Sequence, residues 1–171
     1  MKKGLKIFFI VFIPLILGIA AFGGTILYSY LQVDYSVGSP AVTFDITQDF
    51  VEGYIGFITL TTPAEISNNG VYSIRDLNIT IIVIGANFSL SSLNGAVLAS
   101  GENLLGDINP GEIWADDIVL QVTYSIPLLA IQDGDFVITI YVGLKVDFYL
   151  FKVPINIETV QYAEWDSPFG L

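Results

Sequence analysis

The feature that most constrains this chain is an uninterrupted apolar run, Ile7–Leu27. The run contains 21 residues and no charged side chain. At about 1.5 Å of rise per residue, a helix of this length spans roughly 30 Å, which is the thickness of the hydrocarbon core of a bilayer. We therefore predict a short basic segment at residues 1–6 and a transmembrane anchor helix at residues 7–30. Membrane lipid, contacted through Ile7–Leu27, is the first predicted partner.

The charges on either side of the run predict its orientation. Lys2, Lys3 and Lys6 precede it, and short flanking segments rich in lysine remain on the cytoplasmic side of a membrane. Three basic residues and all 17 acidic residues follow the run, so this part of the chain has a net charge of −14. We predict a single-pass protein of the cell membrane, with the N-terminus in the cytoplasm and an acidic domain outside.

A cleaved signal peptide is the alternative interpretation of the run. The small residues between Ala21 and Gly24 would then supply the cleavage site. The apolar run continues past them to Leu27, which is long compared with the roughly 7–15 apolar residues of a signal peptide. Tyrosines then follow, and such residues collect at the outer membrane interface; they are Tyr28, Tyr30 and Tyr35. These features favour a retained signal anchor.

The composition excludes several kinds of chemistry. The chain has no cysteine and no histidine. It therefore has no disulfide or thiol nucleophile, and it lacks the commonest general base and transition-metal ligand. The acidic charge argues against a nucleic-acid partner, because phosphates are bound by lysine and arginine. We predict a protein that is not an enzyme and that has no cofactor.

The rest of the chain has the pattern of an all-β domain. From Ala41 onward, short runs of alternating apolar residues are separated by turn residues, which predicts about eight strands at roughly ten-residue spacing. Leu77–Ile84 is apolar on both faces at its end and is predicted to be a central strand. This spacing favours an immunoglobulin-like antiparallel β-sandwich of about 7–8 strands. The predicted boundaries are a stalk at residues 31–40, the sandwich at 41–162 and a tail at 163–171.

The segments between the strands carry more local signals. Asn68-Asn69-Gly70 predicts a turn, because Asn and Gly tolerate positive φ. Gly101–Trp114 is predicted to be the longest loop. Pro127–Gln132 places a proline before good helix formers and predicts one short helix. Two long strands are predicted toward the end of the chain, with a pivot between them at Gly143 and with Leu144–Val153 as the second strand.

The order of these segments resembles the group-2 late-embryogenesis-abundant domain, also called the water-stress and hypersensitive-response (WHy) domain. The matching residues are Asn69-Gly70-Val71-Tyr72-Ser73-Ile74, the small-residue strand Gly95–Gly101, the turn Ile108-Asn109-Pro110-Gly111, and the short helical segment Pro127–Gln132. The resemblance covers Val42–Glu158, and the chain has Gly70 where the family typically has proline. It implies a small β-sandwich with one helix, often behind a membrane segment. It also implies a role in stress protection or surface interaction, without catalytic residues.

Two groups of neighbouring carboxylates are weak candidates for binding a metal ion. Asp116-Asp117 and Asp133-Gly134-Asp135 offer oxygen ligands, which Ca²⁺ prefers. Neither stretch has the spacing of a full calcium loop, and neighbouring acidic residues in turns are usually solvated. We therefore predict no metal site, with Asp116, Asp117, Asp133 and Asp135 as the residues to test.

Two sites match the pattern for N-glycosylation. They are Asn78-Ile79-Thr80 and Asn87-Phe88-Ser89. The predicted location of the domain outside the cell gives these matches meaning. We expect Asn87 to be the more accessible, because it lies near the end of a predicted strand.

The sequence thus predicts a membrane-anchored β-sandwich that acts as an interaction module or a stress- and envelope-protective module. A module that binds a small apolar ligand or lipid between the sheets is the first alternative, and a subunit of a surface assembly is the second. The tail contains Trp165, Phe169 and Leu171, which we expect to fold back on the domain. An exposed partner site in the tail is the alternative.

Overall fold

The computed structural model describes the backbone of residues 3–170 and the side chains of residues 12–170. Helix α1 (Lys3–Leu31) contains the whole apolar run, with Pro14 inside it. Phe12–Leu31 is long and apolar enough to cross a membrane, with a mean hydropathy of 1.8, although a signal sequence would meet the same criteria. The predicted apolar helix is therefore confirmed, and its insertion in a membrane stays a prediction. Lys2, Leu171 and the side chains of Lys3 and Lys6 lie outside the described residues.

After α1 the chain forms two antiparallel four-stranded sheets. The first sheet contains β1 (Val33–Val37), β2 (Ala41–Asp49), β3 (Gly53–Asn68) and β6 (Ile113–Val122). The second sheet contains β4 (Ile74–Ala86), β5 (Val97–Ile108), β7 (Gly134–Asp147) and β8 (Lys152–Trp165), in the spatial order β5-β4-β7-β8. A single short helix, α2 (Ile126–Leu129), lies between β6 and β7. The predicted all-β sandwich with one short helix is confirmed.

Alternating apolar side chains of the two sheets form the core. In β4 the predicted inward face is buried, and it consists of Leu77, Ile79, Ile81 and Val83. β4 pairs with β5 on one side and with β7 on the other, so it is the central strand that its sequence predicted. In β7, Phe136, Ile138 and Ile140 are fully buried. Burial of each such side chain contributes about 1.5–3 kcal/mol, and this apolar packing is the main source of the domain's stability.

Half of the predicted stalk at residues 31–40 is a strand. Only Gln32 separates the end of α1 from β1, and β1 pairs with Ala64–Asn68 of β3. The sequence prediction missed β1, although Val33, Tyr35 and Val37 alternate with polar residues, because the strand is only five residues long and mostly exposed. The physical consequence is that α1 continues directly into a hydrogen-bonded sheet.

The predicted loop Gly101–Trp114 is also mostly strand. β5 continues to Ile108, and β6 begins at Ile113, with a tight turn between them. β5 pairs only with β4, so it is an edge strand, and most of its residues are exposed. A strand with so little burial has no reason to show apolar alternation, which is why its sequence resembled a loop.

The chain does not pivot at Gly143. β7 runs through Gly143 to Asp147, and the chain reverses direction at residues 148–151. Gly143 instead lies against the side chain of Asn78 on β4, and a Cβ at this position would lie 2.3 Å from the Asn78 side-chain oxygen, which would have to move. β8 then extends to Trp165 and includes the first residues of the segment predicted to be a tail.

Candidate functional site

The candidate site is the end of the sandwich that adjoins α1. Ser29, in the last turn of the helix, is only 1% exposed, and its hydroxyl accepts a hydrogen bond of 2.9 Å from the backbone N–H of Val71. Thr25, one turn earlier, shares a hydrogen bond of 3.0 Å with the hydroxyl of Tyr72. A Cβ at Gly70 would lie 3.0 Å from the Cα of Ser29, so the loop passes very close to the helix. We call this contact between residues 25–29 and residues 69–72 the helix junction.

The side chain of Asn68 holds the loop of the helix junction in place through hydrogen bonds to its backbone. Its buried side-chain amide donates hydrogen bonds to the carbonyls of Tyr72 at 2.9 Å and Ile108 at 3.0 Å. Its side-chain oxygen accepts a hydrogen bond of 3.2 Å from the N–H of Gly70. A buried amide with its partners in place restricts the loop to one conformation, so the surface offered to the helix is formed in advance.

The turn between β7 and β8 is apolar and exposed. This β7–β8 turn consists of residues 148–151. Phe148 is fully buried, whereas Tyr149 and Leu150 are 89% and 83% exposed. Tyr149 has a φ of 65°, and its N–H donates a hydrogen bond of 3.0 Å to the carboxylate of Asp147. An aspartate that accepts a bond from two residues ahead allows a tight turn without glycine or proline.

Aromatic rings connect the β7–β8 turn to the helix junction. The ring centroid of Tyr72 lies 4.8 Å from that of Phe148 and 5.9 Å from that of Tyr149. Phe148 in turn lies 5.5 Å from Phe151. Because the hydroxyl of Tyr72 also contacts Thr25 of α1, one side chain links the apolar helix to the exposed turn. Tilted and edge-to-face rings at these distances attract one another and order the turn.

The three basic residues that follow the apolar run all lie beside this turn. Arg75 approaches Asp107 at 2.6 Å and Asp147 at 3.7 Å. Asp76 receives Lys145 at 3.0 Å and Lys152 at 3.8 Å. We call these six residues the ion-pair cluster. Since it contains three cations and three carboxylates, it adds no net charge to this end of an otherwise acidic domain.

An irregularity in β4 creates the ion-pair cluster. The register of β4 shifts between Arg75 and Asn78 against both neighbouring strands, and Asp76 has a φ of 54°. Such a bulge re-aims side chains at the end of a strand. The hydrogen bond from Lys145 lowers the pKa of Asp76, and the hydrogen bond to Asp107 raises the pKa of Arg75. Both groups therefore remain ionised at neutral pH.

Three of the four carboxylates predicted as weak metal candidates accept hydrogen bonds within the protein. Asp116 accepts a hydrogen bond of 2.8 Å from the N–H of Asp117 in β6. Asp133 accepts two hydrogen bonds from Ser167, and Asp135 accepts one from the side chain of Asn87. Across the residues that the structure describes, no group of three or more acidic side chains is arranged to hold a metal ion. Whether these residues bind an ion stays a prediction.

The two glycosylation candidates differ in exposure. Asn87 is exposed, lies just after β4 and has a φ of 57°. Asn78 is half-buried in the middle of the second sheet, on its outer face, where a shallow depression of about 400 Å³ also contains Tyr141 and Asn156. The structure therefore gives Asn87 the more open position, and modification of either residue stays a prediction.

The described part of the tail folds back on the domain. The indole N–H of Trp165 donates a hydrogen bond of 2.9 Å to the carbonyl of Leu129, and this side chain is buried. The ring of Phe169 stacks on Tyr54 at 4.8 Å. Both aromatic residues of the tail thus contact the domain, as expected, rather than forming an exposed partner site.

A cleft at one edge of the sandwich is the candidate site for the alternative function, which is binding of a small apolar ligand. It lies between β5 and β6 and has a volume of about 260 Å³. Leu105 and Trp114 supply apolar surface, and Asp116 and Asp117 supply carboxylates. Sites for small molecules usually have volumes of about 300–1,000 Å³, so the cleft is small for this purpose.

Sequence reasoning did not identify the β7–β8 turn, because it assigned these residues to a strand. The run Phe148-Tyr149-Leu150-Phe151 is apolar throughout and contains no typical turn residue. The flanking Asp147 and Lys152 are the only local signal, since an Asp can support a turn through its side chain. An apolar turn is costly in water, and this cost is what distinguishes it as a candidate site.

No family model and no curated protein matches the chain. Among solved structures, it is similar to a candidate late-embryogenesis-abundant protein, with 17% identity, a TM-score of 0.43, and coverage of 75% of this chain and 72% of that one. A structural-genomics target has 12% identity, a TM-score of 0.44, and coverage of 77% and 86%. A protein from Archaeoglobus fulgidus has 10% identity, a TM-score of 0.40, and coverage of 75% and 97%. Likenesses this distant carry no argument about function.

Proposed function

We propose that this protein is a single-pass, membrane-anchored interaction module that has no enzymatic activity. Its N-terminus lies in the cytoplasm, and its acidic sandwich lies outside the cell membrane. The observation that carries the proposal is the direct passage of α1 into β1 with only Gln32 between them, together with the buried contact of Ser29. A removable leader has no need of a packed junction with the domain that follows it.

The helix junction gives the anchor a mechanical role. A flexible stalk would allow the sandwich to tumble, whereas the contacts of residues 25–29 fix its angle to the helix. β3 runs away from the junction for 16 residues, and at about 3.3 Å per residue it carries the far end of the sheet roughly 50 Å from the helix. The protein is thus built to present that far end at a set distance from the membrane.

The far end offers a surface for a partner. The turn between β2 and β3 contains Phe50 and Val51, which are almost completely exposed. Asp49 orders this turn by accepting hydrogen bonds from the N–H groups of Val51 at 2.7 Å and Glu52 at 2.9 Å. Two exposed apolar residues on an ordered turn suit binding to an apolar pocket of another surface protein. A protective role under stress, which the resemblance to the WHy domain implies, would use the same presentation.

The test of the proposed function is membrane fractionation with alkaline extraction and intact-mass measurement. The full-length protein should remain in the membrane pellet with an uncleaved N-terminus. The double variant Ile16→Arg/Leu17→Arg should leave the membrane, because each arginine costs about 2.5–3.5 kcal/mol at the centre of a membrane helix. The matched control is Ile16→Leu/Leu17→Ile. A soluble product shortened near Ala21–Gly24 would contradict the anchor.

The cleft between β5 and β6 supports the second candidate function, which is binding of a small apolar ligand or lipid. Native mass spectrometry of the purified full-length protein would then show a bound small molecule, and Trp114→Ala would reduce its occupancy. Size-exclusion chromatography addresses the remaining alternative, a subunit of a surface assembly. That alternative requires an oligomer whose size increases with protein concentration.

A further inference from the structure

We propose that the β7–β8 turn inserts into the outer interface of the membrane that α1 crosses, giving the domain a second contact with the bilayer. The inference rests on the proposed anchor and adds a site to it. The occupant is the interfacial layer of the bilayer, into which Tyr149, Leu150 and Phe151 project. These apolar side chains are exposed to water, and insertion into the interface would remove them from water, which is favourable.

The depth of the turn follows from its connection to the helix. Thr25 lies inside the apolar run Ile7–Leu27, two residues before its end, so it lies about 3 Å from the edge of the predicted membrane span. The hydroxyl of Tyr72 contacts Thr25 at 3.0 Å, and Tyr149 lies beside Tyr72 with a ring separation of 5.9 Å. The Tyr72 and Tyr149 rings are therefore level with the boundary of the span, where aromatic side chains are enriched in membrane proteins.

The charges around the turn fit the same location. A domain with a net charge of −14 should be repelled by anionic headgroups. At this end, however, the ion-pair cluster matches Arg75, Lys145 and Lys152 against three carboxylates. The apolar turn is thus bordered by a neutral polar cluster at the level expected for headgroups. No preference for anionic lipid is expected, because these cations already have protein partners.

The absence of cysteine from the chain allows a direct test with single labels. Leu150→Cys in the full-length protein would carry an environment-sensitive nitrobenzoxadiazole fluorophore, and nanodiscs would hold one copy of the protein each. The control is Val51→Cys, which is also almost completely exposed and lies in the turn at the far end of β3. Nitroxide-labelled phosphatidylcholine would be the quencher, with and without added phosphatidylglycerol.

The expected result is a shorter emission wavelength at position 150 and quenching several-fold stronger than at position 51, with or without the anionic lipid. Equal quenching at the two positions in protein that is incorporated in the discs would overturn this inference and leave the anchor intact. Quenching that appears only with the anionic lipid would also overturn it, in favour of contact through the lysines. Protein that fails to enter the discs would overturn the anchor and the inserted turn together.

Discussion

Single polar residues determine the shape of the surface beside the helix. Asn68, Ser29 and Asp147 each place a side-chain atom against a backbone group of a turn or loop that has little regular hydrogen bonding of its own. A substitution that removes such a side chain leaves the backbone group without a hydrogen-bond partner. When that group is buried, this costs more than the hydrogen bond itself contributes to stability. The stability of the candidate site is therefore concentrated in a few side chains and can be tested residue by residue.

Asn68→Ala should lower the free energy of unfolding by about 1–3 kcal/mol, because it leaves the carbonyls of Tyr72 and Ile108 without their shared donor. Urea unfolding of the full-length protein in detergent micelles measures this change. Asn69→Ala is the matched control, since the exposed Asn69 side chain donates to the side chains of Ser67 at 3.2 Å and Asp34 at 3.5 Å rather than to the loop backbone, and its loss should cost less, about 0.5 kcal/mol. Equal effects of the two substitutions would contradict the role of Asn68 in holding the loop.

Asp133 should make the docking of the tail depend on pH. Hydrogen bonds from the hydroxyl and the N–H of Ser167 lower the pKa of Asp133 below its ordinary value of 3.8. A carboxylate with a lowered folded-state pKa contributes stability above its ordinary pKa, and this contribution disappears as the pH falls through the folded-state value. Asp133→Asn should therefore lower the melting temperature at pH 7, and the difference from the wild type should shrink below pH 3.8.

The control for this measurement is Asp166→Asn, which removes an exposed carboxylate one residue before Ser167. Its effect on the melting temperature at pH 7 should be smaller, because Asp133 and not Asp166 accepts the hydrogen bonds of Ser167. A constant difference between Asp133→Asn and the wild type from neutral to acid pH would show that ionisation of Asp133 has no part in tail docking.

At the scale of strands and turns, burial decides what the sequence can predict. In β4, buried residues alternate with half-buried ones, so the strand and its central position were readable from its apolar residues, whereas β7 was readable only in part, since the prediction broke it at Gly143. Strand β5 is mostly exposed and has no periodic apolar signal, and β1 alternates over only five residues. The positions of both strands depend on pairing with β4 and β3. The β7–β8 turn was not predicted for the opposite reason: its residues are as apolar as those of a buried strand.

Gly143 of β7 lies close to the side chain of Asn78 on β4. In Gly143→Ala, the new methyl group would lie 2.3 Å from the side-chain oxygen of Asn78, so this side chain must rotate, and the fold should be destabilised by no more than about 1 kcal/mol. The double variant Asn78→Ala/Gly143→Ala should recover part of this loss, since the clashing group is then absent. Thermal unfolding of the single and double variants gives the coupling between the two sites, and strict additivity would contradict the contact.

At the scale of the whole molecule, the helix and the sandwich form one continuous unit. Sequence reasoning placed a stalk at residues 31–40, because the segment has few apolar residues and ends at Pro40. The pairing of β1 with β3 and the burial of Ser29 are contacts between parts of the chain 27–42 residues apart, which local patterns do not encode. The orientation of the sandwich relative to α1 is therefore a property that only the three-dimensional structure supplies.

A rigid connection predicts a fixed height of the far turn above the membrane. With a donor fluorophore on Val51→Cys and acceptor-labelled lipid, the wild-type background should give a narrow range of energy transfer, consistent with a β3 strand about 50 Å long. Insertion of Gly-Gly-Ser between Leu31 and Gln32 should broaden this range and raise the mean transfer, because a flexible linker lets the domain approach the bilayer.

The control is the same insertion between Thr123 and Tyr124, two exposed residues between β6 and α2, which lengthens a surface loop away from the helix junction. Its energy transfer should match that of the uninterrupted chain. If the chain without an insertion shows the broad distribution already, the contacts of Ser29 and Thr25 do not fix the domain in a bilayer. The distance of the β2–β3 turn from the membrane would then vary. The proposal that Phe50 and Val51 are presented at a set distance would lose its structural basis.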